Sequence, residues 1–69
     1  MNKGLISLVE NQERYNTALE TMDANTIAEM VNDVSDIIGE NVSQDFVNSN
    51  LSLIQELMNG NIDVIDDLE

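Results

Sequence analysis

The chain has no cysteine, proline, histidine or tryptophan, and only two of its 69 residues are basic, Lys3 and Arg14. Without cysteine there is no disulfide and no thiolate metal site. Without histidine as well, paired carboxylates are the main remaining source of acid–base chemistry. There is no glycine-rich phosphate loop, and a helical chain of this size rarely builds a pocket that shapes and dries a substrate. An enzyme is therefore not expected, and no catalytic residue, cofactor site or metal site is assigned. The nearest approach to a calcium loop, Asn59-Gly60-Asn61-Ile62-Asp63, has its glycine at the wrong step and Val64 where glycine is needed. Two cations are also too few to neutralise phosphates, which argues against direct nucleic-acid binding.

Long apolar runs are missing too. Nothing approaches the roughly 20 residues of a bilayer crossing. The run at 5–9 is ended by Glu10, too early for the core of a signal peptide. An interfacial membrane helix would carry Lys and Arg on its polar face, and this chain has almost none. A soluble, cytoplasmic protein is expected, with no membrane partner.

What is present is negative charge. Fourteen acidic residues against two basic ones give a formal net charge of -12. At most two carboxylates can meet a cation within the chain, and the rest face water or the positive charge of another molecule. Such an imbalance aids solubility and costs stability through self-repulsion, so stability is expected to rise with salt. An apolar fraction of 42% nevertheless exceeds what a disordered acidic tail carries. Only Tyr15 and Phe46 are aromatic, so the core must be aliphatic.

Helical periodicity runs through most of the chain. Leu5, Leu8, Gln12, Tyr15, Leu19 and Met22 follow a 3-4-3-4-3 spacing, widened by Val9 and Ala18. Gln12 interrupts that stripe, either as a boundary residue with its amide in solvent or as a buried amide that fixes register. Thr26-Ile27-Ala28-Glu29 fits a capping box. A second apolar face follows in Ile27, Met30, Val31, Val34, Ile37 and Ile38, ended by Gly39. Ser43 is the cap of a third helix, with Asp45 in its first turn and an inner face of Phe46 or Val47, Asn50, Leu51, Ile54, Leu57 and Met58. Ile62, Ile65 and Leu68 recur every three residues beyond Gly60, with Asn61 as the cap. Met22, Met30 and Met58 sit on these stripes and are expected in the core.

The periodicity predicts an all-α fold of one domain, 1–69. It is a small antiparallel three-helix bundle with helices at 3–22, 26–38 and 44–58, plus a short helix or tail at 62–68.

The acidic residues are regularly placed. Glu29, Asp33, Asp36 and Glu40 step by 4, 3 and 4 along the second helix, which predicts an acidic stripe opposite the apolar face. At 1.5 Å rise per residue those charges lie about 4.5–6 Å apart along the axis, near the phosphate spacing of a nucleic-acid strand. Glu10, Glu13 and Glu20 form a second row, and Asp63, Asp66, Asp67 and Glu69 end the chain. Like charges at such spacing destabilise a helix, and an ordinary solvated face interleaves lysine.

Small acidic helical proteins that mimic nucleic-acid charge, often phage-encoded, share this composition and size, a likeness of class that transfers no residue role. The expected function is a small protein-interaction module. It would inhibit or regulate a basic partner, such as a nucleic-acid-binding enzyme, by occupying its basic surface through charge mimicry. The partner-binding candidates are Glu29, Asp33, Asp36, Glu40, Glu10, Glu13 and Glu20. If the second-helix stripe is the working surface, changing Asp33 and Asp36 to Lys is expected to leave the bundle folded, or even to stabilise it, because both positions lie opposite the apolar face, and to abolish binding to a basic partner. The alternative is a structural or assembly protein, a virion or oligomeric helical subunit, that self-associates through aliphatic helix faces.

Overall fold

Asparagines stand at two breaks in helices that the apolar periodicity would draw as continuous. The computed structural model describes residues 2–68, and they form an all-α fold with no strand among the described residues. The elements are α1 (Lys3–Glu10), α2 (Gln12–Thr21), α3 (Ala24–Ile38), α4 (Gln44–Ser49), α5 (Leu51–Met58) and a 3-10 helix (Ile62–Asp67). The helix expected at 3–22 is thus two helices, and so is the one expected at 44–58.

At both breaks an asparagine side chain turns back onto the preceding turn. The Asn11 side-chain amide donates to the Ser7 carbonyl at 2.8 Å, and the Asn50 amide donates to the Phe46 carbonyl at 2.9 Å. At Asn50 the amide takes the carbonyl that a helix reserves for the backbone N–H, whereas at Asn11 the backbone N–H keeps its bond to the Ser7 carbonyl at 2.9 Å and shares that acceptor with the side chain. The dihedrals leave the α region accordingly, to φ -102, ψ 19 at Asn11 and φ -118, ψ 21 at Asn50. At Asn50 the backbone N–H turns to Val47 instead, at 3.1 Å, the tighter i−3 bond of a 3-10 turn.

The caps explain the other boundaries. Asn2 opens α1, accepting from the Leu5 N–H at 3.1 Å. Ser43 opens α4 by accepting from the Phe46 N–H at 3.1 Å, as its sequence position predicts. Helix α3 begins earlier than expected because Asp23, not Thr26, is its cap. The Asp23 carboxylate accepts from both the Thr26 N–H (3.4 Å) and the Thr26 hydroxyl (3.0 Å). Gly39 ends α3 at φ 89. Met22 ends α2 at φ 59, a left-handed position that favours glycine. Only Met22 and Asp23 therefore separate α2 from α3.

The core gathers Leu5, Leu8, Tyr15 and Ala18 from α1 and α2, Ile27, Met30 and Val34 from α3, Val47 from α4, and Ile54, Leu57 and Met58 from α5. Met22 is not among them. At 77% exposure it lies past the last turn of α2, where the helical stripe no longer governs its direction. In the C-terminal segment Val64 is buried, with Ile65 and Leu68 partly buried, while Ile62 faces outward. The 3-10 helix packs on α5, and its most buried residue is Val64 and not Ile62 of the expected row. Asn61 makes no side-chain cap bond there.

Helix α1 lies antiparallel against α3. Gly4 meets Asp36 and Ser7 meets Asp33, so numbers rise along one helix as they fall along the other. A Cβ added to Gly4 would collide with the Asp33 carbonyl and stand 2.8 Å from Asp36 Cβ. Only a residue without a side chain permits that approach.

Candidate functional site

The acidic stripe of α3 does not lie opposite the apolar face. At about 100° per residue Asp33 stands roughly 60° round the helix from Met30, on the flank of the buried face. Helix α1 covers that flank. The Ser7 hydroxyl donates to Asp33 Oδ2 at 2.8 Å, and the Tyr15 hydroxyl donates to the same oxygen. The Gly4 N–H donates to Asp36 Oδ2 at 2.7 Å, and the Asn2 amide donates to the Asp36 carbonyl at 3.0 Å. Glu29 receives both terminal nitrogens of Arg14, at 3.0 and 3.2 Å. Of the four stripe residues, three are thus engaged within the chain and Glu40 alone is exposed without such a partner among the described residues.

Arg14 fills several roles. Its guanidinium pairs with Glu29, its Nε donates to Asn11 Oδ1 at 3.2 Å, and it lies 5.1 Å from the Tyr15 ring centroid. The hydrogen bond and the charge of Arg14 lower the Glu29 pKa, and Glu29 raises that of Arg14. Both groups are well exposed, so solvent screens the pair and it adds little to stability.

Tyr15 is different. Its side chain is buried, and burial together with the hydrogen bond to Asp33 pushes its pKa up to about 12. A phenolate there would lose its water and face a carboxylate.

The second row keeps its side chains free. Glu10, Glu13 and Glu20 are exposed and make no hydrogen bond or ion pair among the described residues. Glu13 borders an open cleft between α2 and the start of α3 that also carries Arg14, Thr17 and Asp23. Glu40 borders another, beside Asn32, Ser35 and Asp36. Asp63, Asp66 and Asp67 are exposed on the 3-10 helix, whereas Glu69 lies outside the described residues. No group of three or more acidic side chains among the described residues is placed to hold a metal ion. No helix among them is long and apolar enough to cross a membrane.

Periodicity missed two parts of this arrangement. Gly4 and Ser7, three apart on α1, are the small residues that mark where α3 approaches. Gln12 reaches the C-terminal end of α5, where its amide donates to the side chain of Asn59 just past the helix, so it is a half-buried boundary residue with a partner of its own. No protein-family model, curated protein or solved structure matches the chain.

Proposed function

We propose that the chain is a small acidic interaction module that inhibits or regulates a partner by occupying its basic, nucleic-acid-binding surface. The supporting observation is the excess of exposed carboxylates without a cation against them. Arg14–Glu29 is the one ion pair among the described residues, against a net charge of -12. Glu10, Glu13, Glu20 and Glu40 are the contact residues of this reading. Asp33 and Asp36 serve the α1–α3 seam, and Glu29 contributes through a charge already shared with Arg14. The reading rests on charge density, since the seam removes the regular phosphate-like spacing. Such a surface speeds association by electrostatic steering and makes it salt-sensitive.

The test is capture of partners from the native host on the immobilised chain, eluted with a salt gradient. A basic partner that elutes at a few hundred millimolar salt is expected. Added nucleic acid should displace it, and the charge reversals Glu13→Lys and Glu20→Lys should weaken its retention. Retention indifferent to salt, to nucleic acid and to those reversals would end this reading.

The assembly alternative draws on a different observation, the exposed aliphatic side chains Ile6, Val9 and Ile62. It requires self-association that strengthens as salt screens the charge, which sedimentation across ionic strengths measures directly.

A further inference from the structure

A groove of about 270 Å³ lies between α1 and the start of the 3-10 helix, lined by Leu5, Ile6, Val9, Glu10, Gly60 and Ile62. Three of the four large apolar side chains exposed among the described residues lie in it: Ile6 at 39%, Val9 at 41% and Ile62 at 52%. Its walls are aliphatic and Glu10 is its one charged lining residue. Its volume is just under the roughly 300–1,000 Å³ of small-molecule pockets, a size better suited to an anchoring side chain than to a whole ligand.

Resting on the function proposed above, we propose that this groove seats an aliphatic or aromatic anchor of a basic amphipathic helix from the partner protein. Glu10 in the groove, and Asp63 adjoining Ile62 in the chain, would meet that helix's Lys and Arg. Charge decides among the occupants. The chain's total surface is 4316 Å², so a standard interface of about 800 Å² per partner takes nearly a fifth of it. On a molecule of charge -12 such an area necessarily includes acidic surface. A second copy would bring like charges together there, whereas a basic helix brings opposite ones. A helix also supplies both requirements at once, with apolar anchors at i and i+3 or i+4 on one face and long cationic side chains on its flanks.

The full chain, labelled with nitrogen-15, would be titrated at low salt with three synthetic probes of about 18 residues. These are a Leu/Lys peptide of helical period, a scrambled peptide of the same composition, and oligolysine. The expected result is movement of the Ile6, Val9 and Ile62 amides by the amphipathic peptide, with binding about tenfold or more tighter than the scrambled one. Val9→Ser with Ile62→Ser, which leaves the net charge unchanged, should remove that tenfold and leave oligolysine binding intact. If the double variant does not fold, Ile62→Ser alone serves, since that side chain is the most exposed of the three.

Oligolysine binding with silent groove amides, or a serine variant that binds the amphipathic peptide as wild type does, overturns the groove proposal while the charge reading stands. Binding by none of the three probes overturns both. A wild-type dimer that the serine substitutions dissociate makes the occupant a second copy, and the proposal is then wrong.

Discussion

The Gly4 N–H donates to the Asp36 carboxylate at 2.7 Å, at a crossing so close that a Cβ on Gly4 would stand 2.8 Å from Asp36 Cβ. The two residues are coupled by a bond that only the absence of a side chain allows.

Gly4→Ala should therefore destabilise the protein. In an open helix the change gains roughly 1 kcal/mol of helix propensity. Here the methyl also meets the Asp33 carbonyl, backbone that cannot swing aside, and overpacking of that kind costs about 1–3 kcal/mol. Urea unfolding checks the sign, and a variant as stable as wild type would show that α1 can slide away from α3 at little cost.

Reversing Asp33 and Asp36 to Lys should also unfold or strongly destabilise the chain. The pair accepts from Ser7, Tyr15 and the Gly4 N–H, and hydrogen bonds to charged groups contribute about 1.5–3 kcal/mol each. Reversal at Glu13 and Glu20, which carry no such bonds, should change stability by no more than about 0.5 kcal/mol. Thermal melts of the two double variants side by side decide whether the α3 carboxylates are structural.

Alkaline pH should destabilise the protein through Tyr15. Its folded pKa of about 12 lies above the ordinary value of 10.0, so its contribution is complete below pH 10 and is lost as pH rises from there to about 12. The amount is on the order of 2 kcal/mol. Tyr15→Phe should flatten the stability profile in that window while lowering stability at neutral pH, because Asp33 loses a donor.

Met22→Gly should raise stability. A left-handed backbone costs an ordinary residue roughly 1–2 kcal/mol, and the Met22 side chain, mostly in solvent, offers little in return. Part of that gain is offset by the extra freedom glycine brings to the unfolded chain. A net increase of about 0.5–1 kcal/mol in denaturant titrations is expected, with no change in the fold.

Apolar spacing carried the all-α class and most of the core, because Leu5, Leu8, Ile27, Met30, Val34 and Ile54 repeat with the helical period. Gly39 and Ser43 marked their boundaries for reasons local to each residue. Asn11 and Asn50 were harder to read. Each fits a helical position by spacing alone, Asn50 on the inner face, and the turn of its amide toward the carbonyl four residues back leaves no mark in the periodicity. The seam was hidden for another reason. Whether Asp33 and Asp36 face water or a neighbouring helix depends on which flank of α3 is covered, and the periodicity of α3 alone is silent on that. The small residues Gly4 and Ser7 held the answer on the other helix. Asp23 took the cap from Thr26 because its carboxylate could bond both the Thr26 N–H and its hydroxyl.

One side chain gives the seam an optical signature. Tyr15 is the single tyrosine in a chain without tryptophan, and it stands where α1, α2 and α3 meet, its hydroxyl on Asp33. Near-ultraviolet absorbance and intrinsic fluorescence of the whole molecule therefore come almost entirely from this one junction, with Phe46 a faint second source. A binding event that left the junction undisturbed would be invisible to these signals, and one that prised α1 from α3 would change them at once. The protein can thus report, without any added label, whether a ligand merely coats its acidic surface or opens its fold.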